Sequence, residues 1–117
     1  MIKIKRAYEE PEKADGYRAL VDRVWPRGRK KEQLALREWA RDLAPSDALR
    51  KSFGHDPARW KDFQNHYRRE LESDKALKAK LAGLAKLARR RVVTLVYGAH
   101  DQEHNQAVVL KEAIDRL

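Results

Sequence analysis

The sequence contains no cysteine. Its absence excludes a disulfide framework, a thiolate zinc site and a cysteine nucleophile. The chain also lacks any run of about 18–20 apolar residues, the length that a membrane-spanning helix needs. Its first residues, MIKIKRAYEE, lack the apolar core of a signal peptide. We therefore expect no membrane-spanning segment and a cytoplasmic location.

Acidic residues are few relative to basic ones. The 117 residues include 27 Lys and Arg but only 18 Asp and Glu, which gives a formal net charge of +9. A basic balance favours polyanionic partners such as nucleic acid or phosphorylated ligands, although a basic surface can also serve solubility alone. Hydrophobic residues make up 42% of the chain, enough for a core. The chain is predicted to form one domain over residues 1–117.

Hydrophobic patterning predicts three strands separated by helices. Alternation predicts strands at 2–7 and 17–25, the first with one wet face, and the apolar run VVTLVY predicts a buried parallel strand at 92–97. The segment 30–43 is ambiguous, with a short helical turn and a buried Trp39 expected. The pattern as a whole predicts an α/β fold with a small, mainly parallel sheet flanked by helices.

Four helices are predicted from capping residues and apolar stripes. Ser46 is a suitable N-cap for a helix at 47–53, and Asp56-Pro57 starts the next one, with an apolar stripe that includes Phe63 and Tyr67. A third helix opens at Ser73 and ends in the cations 89–91. The last is predicted at 102–117 with Asp101 as its N-cap. Its core-facing residues are expected to be Ala107, Leu110, Ile114 and Leu117.

Polar residues gather where two of the predicted strands end. If the strands at 17–25 and 92–97 are parallel neighbours, their carboxyl ends meet at the edge where α/β proteins bind ligands. Asp22 and Arg23 are unusual there, since two charges in an apolar strand are costly unless paired. They form either a structural pair or the working groups of a cleft. The two groups of candidate residues are Asp22, Arg23, Trp25 and Arg27, and Tyr97, His100, Asp101, His104 and Asn105.

The leading functional hypothesis is the binding of a phosphate-bearing or otherwise anionic ligand, such as a nucleotide or nucleic acid. In this interpretation Arg23 and Arg27 hold the anion, and Asp22 orients Arg23 or accepts a donor. Tyr97 and Asn105 complete the wall. Trp25 either stacks on a ring of the ligand or packs in the core, which is commoner for a Trp beside a strand end.

Two other functions remain open on the sequence. In an enzyme, Asp22 or His104 would act as general base and Arg23 would stabilise a developing anion. In a surface nucleic-acid-binding protein, the basic clusters 27–31 and 89–91 would follow a phosphate backbone. These clusters are also typical of solvated loops and helix ends.

Residues 100–104 match the H-x-x-E-H pattern of a zinc-binding helix. That pattern needs both histidines on one helix, whereas Gly98 and Asp101 place His100 before the helix begins. The sequence signals no third ligand, and short motifs match often by chance. We therefore expect no metal and no cofactor.

The stretch VDRVWPRG at 21–28 resembles the YeaO-like proteins, a bacterial family of the domain of unknown function 488. The resemblance runs almost end to end. Besides the opening IKRAY it includes Leu36, Trp39, Pro45-Ser46, Leu49-Arg50, Phe53, Phe63, Tyr67, Glu70-Leu71, the strand residues 94–97, Asn105 and 107–110.

The resemblance implies the fold and the place of the site but no assigned activity. Wider relatives of the family often carry a cysteine after the last strand and Cys-His-Arg at the start of the last helix. Here Tyr97 stands at the first of these places and Asn105-Gln106-Ala107 at the second. The resemblance therefore implies no thiol chemistry in this chain. On the other side of the cleft, Asp22 and Arg23 match the pattern of the wider relatives.

Overall fold

The structure is a computed structural model that describes residues 1–117. Four parallel strands form one sheet in the order β1-β4-β2-β3, so the last strand of the chain lies between the first two. The strands are β1 Ile2–Arg6, β2 Tyr17–Leu20, β3 Glu38–Trp39 and β4 Val93–Tyr97. The α-helices are α1 Lys31–Leu34, α2 Asp47–Phe53, α3 Trp60–Ser73, α4 Lys75–Ala88 and α5 Gln106–Asp115. The fold is α/β, as the sequence predicts.

The central strand β4 holds the sheet together. All five of its residues are buried, as its uninterrupted apolar run predicts. It pairs along its length with β1, from Ile2 opposite Val93 to Arg6 opposite Tyr97, and on its other side with β2. Because β2 and β4 are parallel neighbours, the residues that follow them emerge at the same edge of the sheet, as expected.

The two faces of the sheet are covered differently. The face that carries Val93, Leu95 and Tyr97 packs in the main hydrophobic core, with apolar residues from α2, α3, α4 and α5. On the opposite face Leu20 and Val96 belong to a much smaller cluster, against which two tryptophans and Leu36 are packed. The helices therefore lie mainly on one side, and loops cover the other.

A buried ion cluster lies on the face covered by loops. The carboxylate of Asp15 is 2.7 Å from the Nη1 of Arg18 and 3.1 Å from the Nζ of Lys5. Lys5 is only 9% exposed, so the prediction of a wet face on the first strand was wrong. Lys5 of β1 pairs with the buried Asp15 and, at 2.8 Å, with the exposed Glu12, so its ammonium contacts carboxylates in place of water.

The second strand is shorter than predicted, because β2 ends at Leu20 and not at Trp25. The N–H of Val21 still donates to the carbonyl of Val96 at 2.9 Å, after which the chain leaves the sheet. The indole N–H of Trp39 then donates to the carbonyl of Asp22 at 2.7 Å and holds this loop in place. Asp22 therefore lies in a loop, not in an apolar strand.

Two helix starts also differ from the predictions. Asn105, not Asp101, caps α5, because its side chain accepts from the N–H of Val108 at 3.2 Å. Asp101 caps a separate turn upstream, accepting from the N–H groups of Glu103 and His104. The cap of α4 is Asp74, one residue after the predicted Ser73.

Two further residues correct or complete the sequence predictions. Leu117 does not point into the core, since α5 ends at Asp115 and the leucine is 58% exposed. The ambiguous segment 30–43 contains the expected helical turn, α1, and also the two-residue edge strand β3. Trp39 in β3 is half-buried. None of the helices combines the length and hydropathy needed to cross a bilayer.

Candidate functional site

A cleft with a volume of about 250 Å³ opens beyond the carboxyl ends of β2 and β4. The loop 22–27 after β2 forms one side, and Gly98 and Ala99 after β4 form the other with Gln106 of α5. Arg50 and Phe53 of α2 close the cleft laterally, together with the flanking residues Ala44, Pro45 and His55. This is the position where parallel α/β sheets bind ligands.

The floor of the cleft is the carboxylate of Asp22. Its Oδ2 accepts from the backbone N–H of Gly98 at 2.8 Å, and its Oδ1 accepts from the side-chain amide of Gln106. Burial raises the pKa of Asp22 to about 6, although both hydrogen bonds favour the ionised form. Neither donor is cationic, so the carboxylate is not neutralised by its contacts.

Glycine at position 98 is what permits this arrangement. A Cβ atom on Gly98 would lie 2.8 Å from Oδ2 of Asp22, closer than non-bonded carbon and oxygen atoms approach. The sequence therefore has a residue without a side chain where the backbone N–H must reach the carboxylate.

The rim of the cleft carries two arginines arranged around one acid. The Nε of Arg23 donates to the carbonyl of Pro45 at 3.2 Å and lies 3.8 Å from Oδ1 of Asp47. The Nη2 of Arg50 lies 3.3 Å from the same oxygen. Arg23, Asp47 and Arg50 together carry one net positive charge, and each guanidinium has N–H donors left over for a ligand.

Of the two roles expected for Asp22, orienting Arg23 or accepting a donor, the structure does not show the first. Arg23 is held by backbone carbonyls, those of Pro45 and Ala44, while Asp22 faces Gly98 and Gln106. The two charges diverge because they are consecutive residues of a loop, whose side chains point to different neighbours.

The other two predicted residues of the first group also line the cleft. Trp25 has a structural role: its indole N–H donates to the carbonyl of Arg29 at 2.6 Å, and its ring meets Trp39 edge-to-face at 5.3 Å. The side chain of Arg27 is exposed. Its carbonyl accepts from the hydroxyl of Tyr8 at 2.9 Å, which ties the cleft loop to the residues after β1.

The second predicted group does not line the cleft. Tyr97 and Asn105 are almost fully buried. Burial raises the pKa of the Tyr97 hydroxyl. Both residues position their chain neighbours, Gly98 and Gln106, instead of completing the wall.

His104 and Asp101 pair with each other outside the cleft. Nδ1 of His104 lies 2.8 Å from the Asp101 carboxylate, and its ring meets Trp60 edge-to-face at 5.3 Å. Hydrogen bonds from the backbone of Glu103 and from His104 lower the pKa of Asp101. His100 is exposed, and no group of three or more His, Asp or Glu side chains is placed to hold a metal ion.

Sequence reasoning missed Gln106, Arg50 and Tyr8 as lining residues. The family resemblance contained a signal for Gln106 and Arg50. Gln106 occupies the place of the histidine in the Cys-His-Arg of wider relatives, and Arg50 is one of the positions that carry the family resemblance. Tyr8 had no such signal beyond its place in the opening IKRAY.

Apolar surface is exposed at the mouth of the cleft. Four large hydrophobic residues are exposed in the whole chain, and two of them, Met1 and Leu117, are its ends. The other two, Tyr8 at 40% and Val24 at 59%, both line the cleft. Exposed apolar side chains at a cleft are typical of a binding surface.

The basic cluster Arg89–Arg91 lies far from this cleft along the strands. It is exposed and follows α4, immediately before the amino end of β4, whereas the cleft lies beyond the carboxyl end of that strand. A polyanion bound there would occupy the opposite edge of the sheet.

Comparisons with known proteins identify relatives over the full length of the chain. A family model described as "Inactive DUF488-N3 subclade" matches residues 1–117. The chain is 41% identical over 116 residues to "Uncharacterized protein YeaO" of Escherichia coli, covering 99% of this chain and 98% of that protein. It is 37% identical over 114 residues to "Uncharacterized protein Rv3073c" of Mycobacterium tuberculosis, covering 97% and 93%. No solved structure matches the chain.

Proposed function

Since the chain belongs to the YeaO-like DUF488 family, in a subclade described as inactive, we propose that its cleft binds a phosphate-bearing anion without transforming it. The observation that carries this proposal is the pair of guanidiniums, Arg23 and Arg50, held around Asp47 at the rim. Planar guanidinium groups match the oxygens of phosphate and carboxylate.

Several features of the rim favour an anion over a neutral ligand. The carbonyls of Ala44 and Pro45 hold the guanidinium of Arg23 in place before a ligand arrives, so little side-chain entropy is lost on binding. Arg27 adds a third cation at the cleft. The net charge of +9 draws anions toward the molecule as a whole.

One observation favours the enzyme alternative. The pKa of Asp22, raised to about 6 by burial, suits a general base near neutral pH. Against it, the other predicted base, His104, lies outside the cleft, paired with Asp101. The enzyme alternative predicts turnover that Asp22→Asn abolishes, whereas the binding proposal predicts a bound ligand recovered unchanged.

Isothermal titration calorimetry with inorganic phosphate, pyrophosphate and ribose 5-phosphate tests the proposal. Arg23→Gln and Arg50→Gln should each weaken binding by about 10-fold or more, the equivalent of one charge-assisted hydrogen bond. Arg59→Gln is the matched control, because Arg59 pairs with Asp56 three residues away, as Arg50 does with Asp47, but lies outside the cleft. Equal affinities in all three variants would refute the proposal.

A further inference from the structure

We propose that the ligand of this cleft is a guanine nucleotide, with the N–H edge of its base on Asp22 and its phosphate on Arg23 and Arg50. This inference rests on the proposed function and extends it from the anion to the rest of the ligand. It depends on the acceptors at the floor, on the apolar lining of the cleft and on the presence of an acid and two arginines in one cleft.

The carboxylate of Asp22 offers acceptors at the floor. An ionised carboxylate has about four lone-pair sites, of which Gly98 and Gln106 use one on each oxygen of Asp22. The side-chain amide of Gln106 donates one N–H to Asp22 and keeps its second N–H and its Oε1 for a ligand. A group that contacts the oxygens of Asp22 must therefore bring N–H or O–H donors.

Guanine is the common base whose pairing edge places two N–H donors side by side, at N1 and at the exocyclic N2. Two parallel donors match the two oxygens of a carboxylate, as they do in a bidentate arginine pair. Adenine and cytosine pair one amino group with a ring acceptor, and uracil flanks its single N–H with carbonyls. Those acceptors would meet the oxygens of Asp22 and repel them.

The walls and the mouth suit a flat heterocycle. Phe53 and Phe63, both almost fully buried, stack on each other with ring centroids 4.4 Å apart and give the cleft an apolar backing. Tyr8 and Val24 expose apolar surface at the mouth, which a base or ribose would cover. A volume of about 250 Å³ lies just below the range of roughly 300–1,000 Å³ for small-molecule pockets, so the cleft has room for at most one nucleotide.

The acid and the arginines of the cleft are held by different partners. Asp22 is held by uncharged donors at the floor, and Arg23 and Arg50 are anchored around Asp47 at the rim. An inorganic anion satisfies the rim alone. A nucleotide satisfies both ends, with its donors toward the carboxylate and its phosphate toward the guanidiniums.

Calorimetric titration at pH 8 with a series of 5′-monophosphates tests the base assignment. Guanosine monophosphate should bind at least 10-fold more tightly than inosine monophosphate, which lacks the N2 amino group, and than adenosine or uridine monophosphate. Ribose 5-phosphate, which reaches only the rim, gives the baseline. Equal affinity for all five compounds, with the dependence on Arg23 and Arg50 intact, would overturn the base assignment and leave the anion proposal standing.

A variant with a changed ligand preference is a stricter test, because a misfolded protein would lose binding and would not gain affinity for a new ligand. Asp22→Asn places an amide donor at the floor, which suits the carbonyl that xanthine carries where guanine has its amino group. We expect this variant to bind xanthosine monophosphate about 10-fold more tightly than guanosine monophosphate, reversing the wild-type order. Asp62→Asn, on the exposed side of α3, should keep the wild-type order. An unchanged order in Asp22→Asn contradicts the inference.

Ligands of different length distinguish two possible sources of the bound nucleotide. A free nucleotide and the 5′-terminal nucleotide of a single strand present the same base and phosphate. A 5′-phosphorylated tetranucleotide that begins with guanosine and binds at least as tightly as the monophosphate assigns the site to strand ends. Loss of binding assigns it to free nucleotides. If neither these compounds nor inorganic phosphate binds, the proposed function and the inference both fail.

Discussion

Two aspartates, the half-buried Asp22 and the buried Asp15, have pKa values shifted in opposite directions because they face different partners. Asp22 meets only uncharged donors, and burial raises its pKa from 3.8 to about 6. For Asp15, burial would also raise the pKa, but hydrogen bonds from the backbone of Glu12 and from Lys5 and Arg18 outweigh it and hold the pKa below 3.8. The two residues therefore respond to pH with opposite signs.

Asp22→Asn should stabilise the ligand-free protein at alkaline pH. Between about pH 4 and 6 the folded state holds a proton on Asp22 that the unfolded chain has released, so the free energy of unfolding falls as pH rises through this window. Asparagine does not ionise, so the free energy of unfolding of the variant does not fall in this way. We expect it to exceed wild type by about 1–3 kcal/mol at pH 8 and to match it near pH 4.

Urea unfolding at pH 4, 6 and 8 measures this difference. Asp62→Asn removes a carboxylate from an exposed site and should track the wild type across the series. A gap between Asp22→Asn and wild type that stays constant with pH would contradict the assignment of a buried, unneutralised carboxylate to position 22.

Asp15→Asn should destabilise the protein at neutral pH, because it leaves Arg18 buried without a carboxylate and Lys5 with only the exposed Glu12 as its partner. Breaking a buried pair costs about 3–5 kcal/mol. Since the folded pKa of Asp15 is depressed, its contribution is present above about pH 4 and lost as pH falls further. Lys3→Gln removes a more exposed partner at 3.7 Å and should cost under about 1 kcal/mol.

The same unfolding measurements decide this prediction. The free-energy difference between wild type and Asp15→Asn should shrink as the pH falls below about 4. If Asp15→Asn and Lys3→Gln destabilise equally at pH 7, the buried ion cluster does not contribute as its geometry indicates.

At the scale of elements, two glycines have opposite roles. Gly16 precedes β2 with φ +63°, and a Cβ atom there would lie 2.3 Å from the carbonyl oxygen of Val92, just before β4. That carbonyl accepts from the N–H of Tyr17 at 2.9 Å, so neither backbone can move aside without losing the pairing. Gly83, inside α4, has no atom near its missing Cβ.

Gly16→Ala should therefore destabilise the fold by more than about 2 kcal/mol, through both the steric contact and the positive φ. Gly83→Ala should stabilise it by about 0.5–1 kcal/mol, because alanine loses less backbone entropy in a helix. Thermal unfolding of the two variants beside wild type gives the test. If Gly16→Ala stabilises the protein, a Cβ atom at position 16 does not clash with the carbonyl oxygen of Val92.

The elements that could be predicted from the sequence are those whose residues carry a local pattern. The buried run of β4, the stripe of α3 and the Ser46 cap of α2 are all found in the structure. The errors arose where local signals compete. Both Asp101 and Asn105 can cap a helix, and both do cap a turn, so sequence alone cannot choose the start of α5.

The candidate site could be predicted only in part, for a related reason. Asp22 and Arg23 were identified because charges are unusual in an apolar stretch, which is a local property. Their partners are not local, since Gln106 reaches Asp22 across 84 residues and the carbonyl of Pro45 is 22 residues from Arg23. No periodicity connects such pairs, and only the packing of α5 and the loop before α2 reveals them.

At the scale of the whole molecule, we predict that anions bind separately at the two ends of the central strand. The cleft and the cluster Arg89–Arg91 lie beyond opposite ends of β4. Replacing the three arginines by glutamine lowers the net charge from +9 by three, to +6. This variant should bind single-stranded DNA more weakly, with a salt slope reduced by up to about 0.7 for each arginine that contacts a phosphate.

Binding of ribose 5-phosphate in the cleft should be unchanged in the same variant. Fluorescence anisotropy at several salt concentrations, beside calorimetry with the sugar phosphate, distinguishes the two sites. An equal loss of both activities would show that the cluster and the cleft act through one general field and not as separate sites.

The position of β4 has a consequence for how the protein is made. The strands β1 and β2 each pair with β4, the strand between them, which is synthesised after them. A nascent chain that has not yet exposed residues 93–97 outside the ribosome has only the two-residue pairing of β2 with β3 and lacks the central strand of the sheet on which α2, α3 and α4 pack. We therefore expect the fold to be completed only after β4 has emerged. Any message truncated before this strand yields a product that proteases can remove.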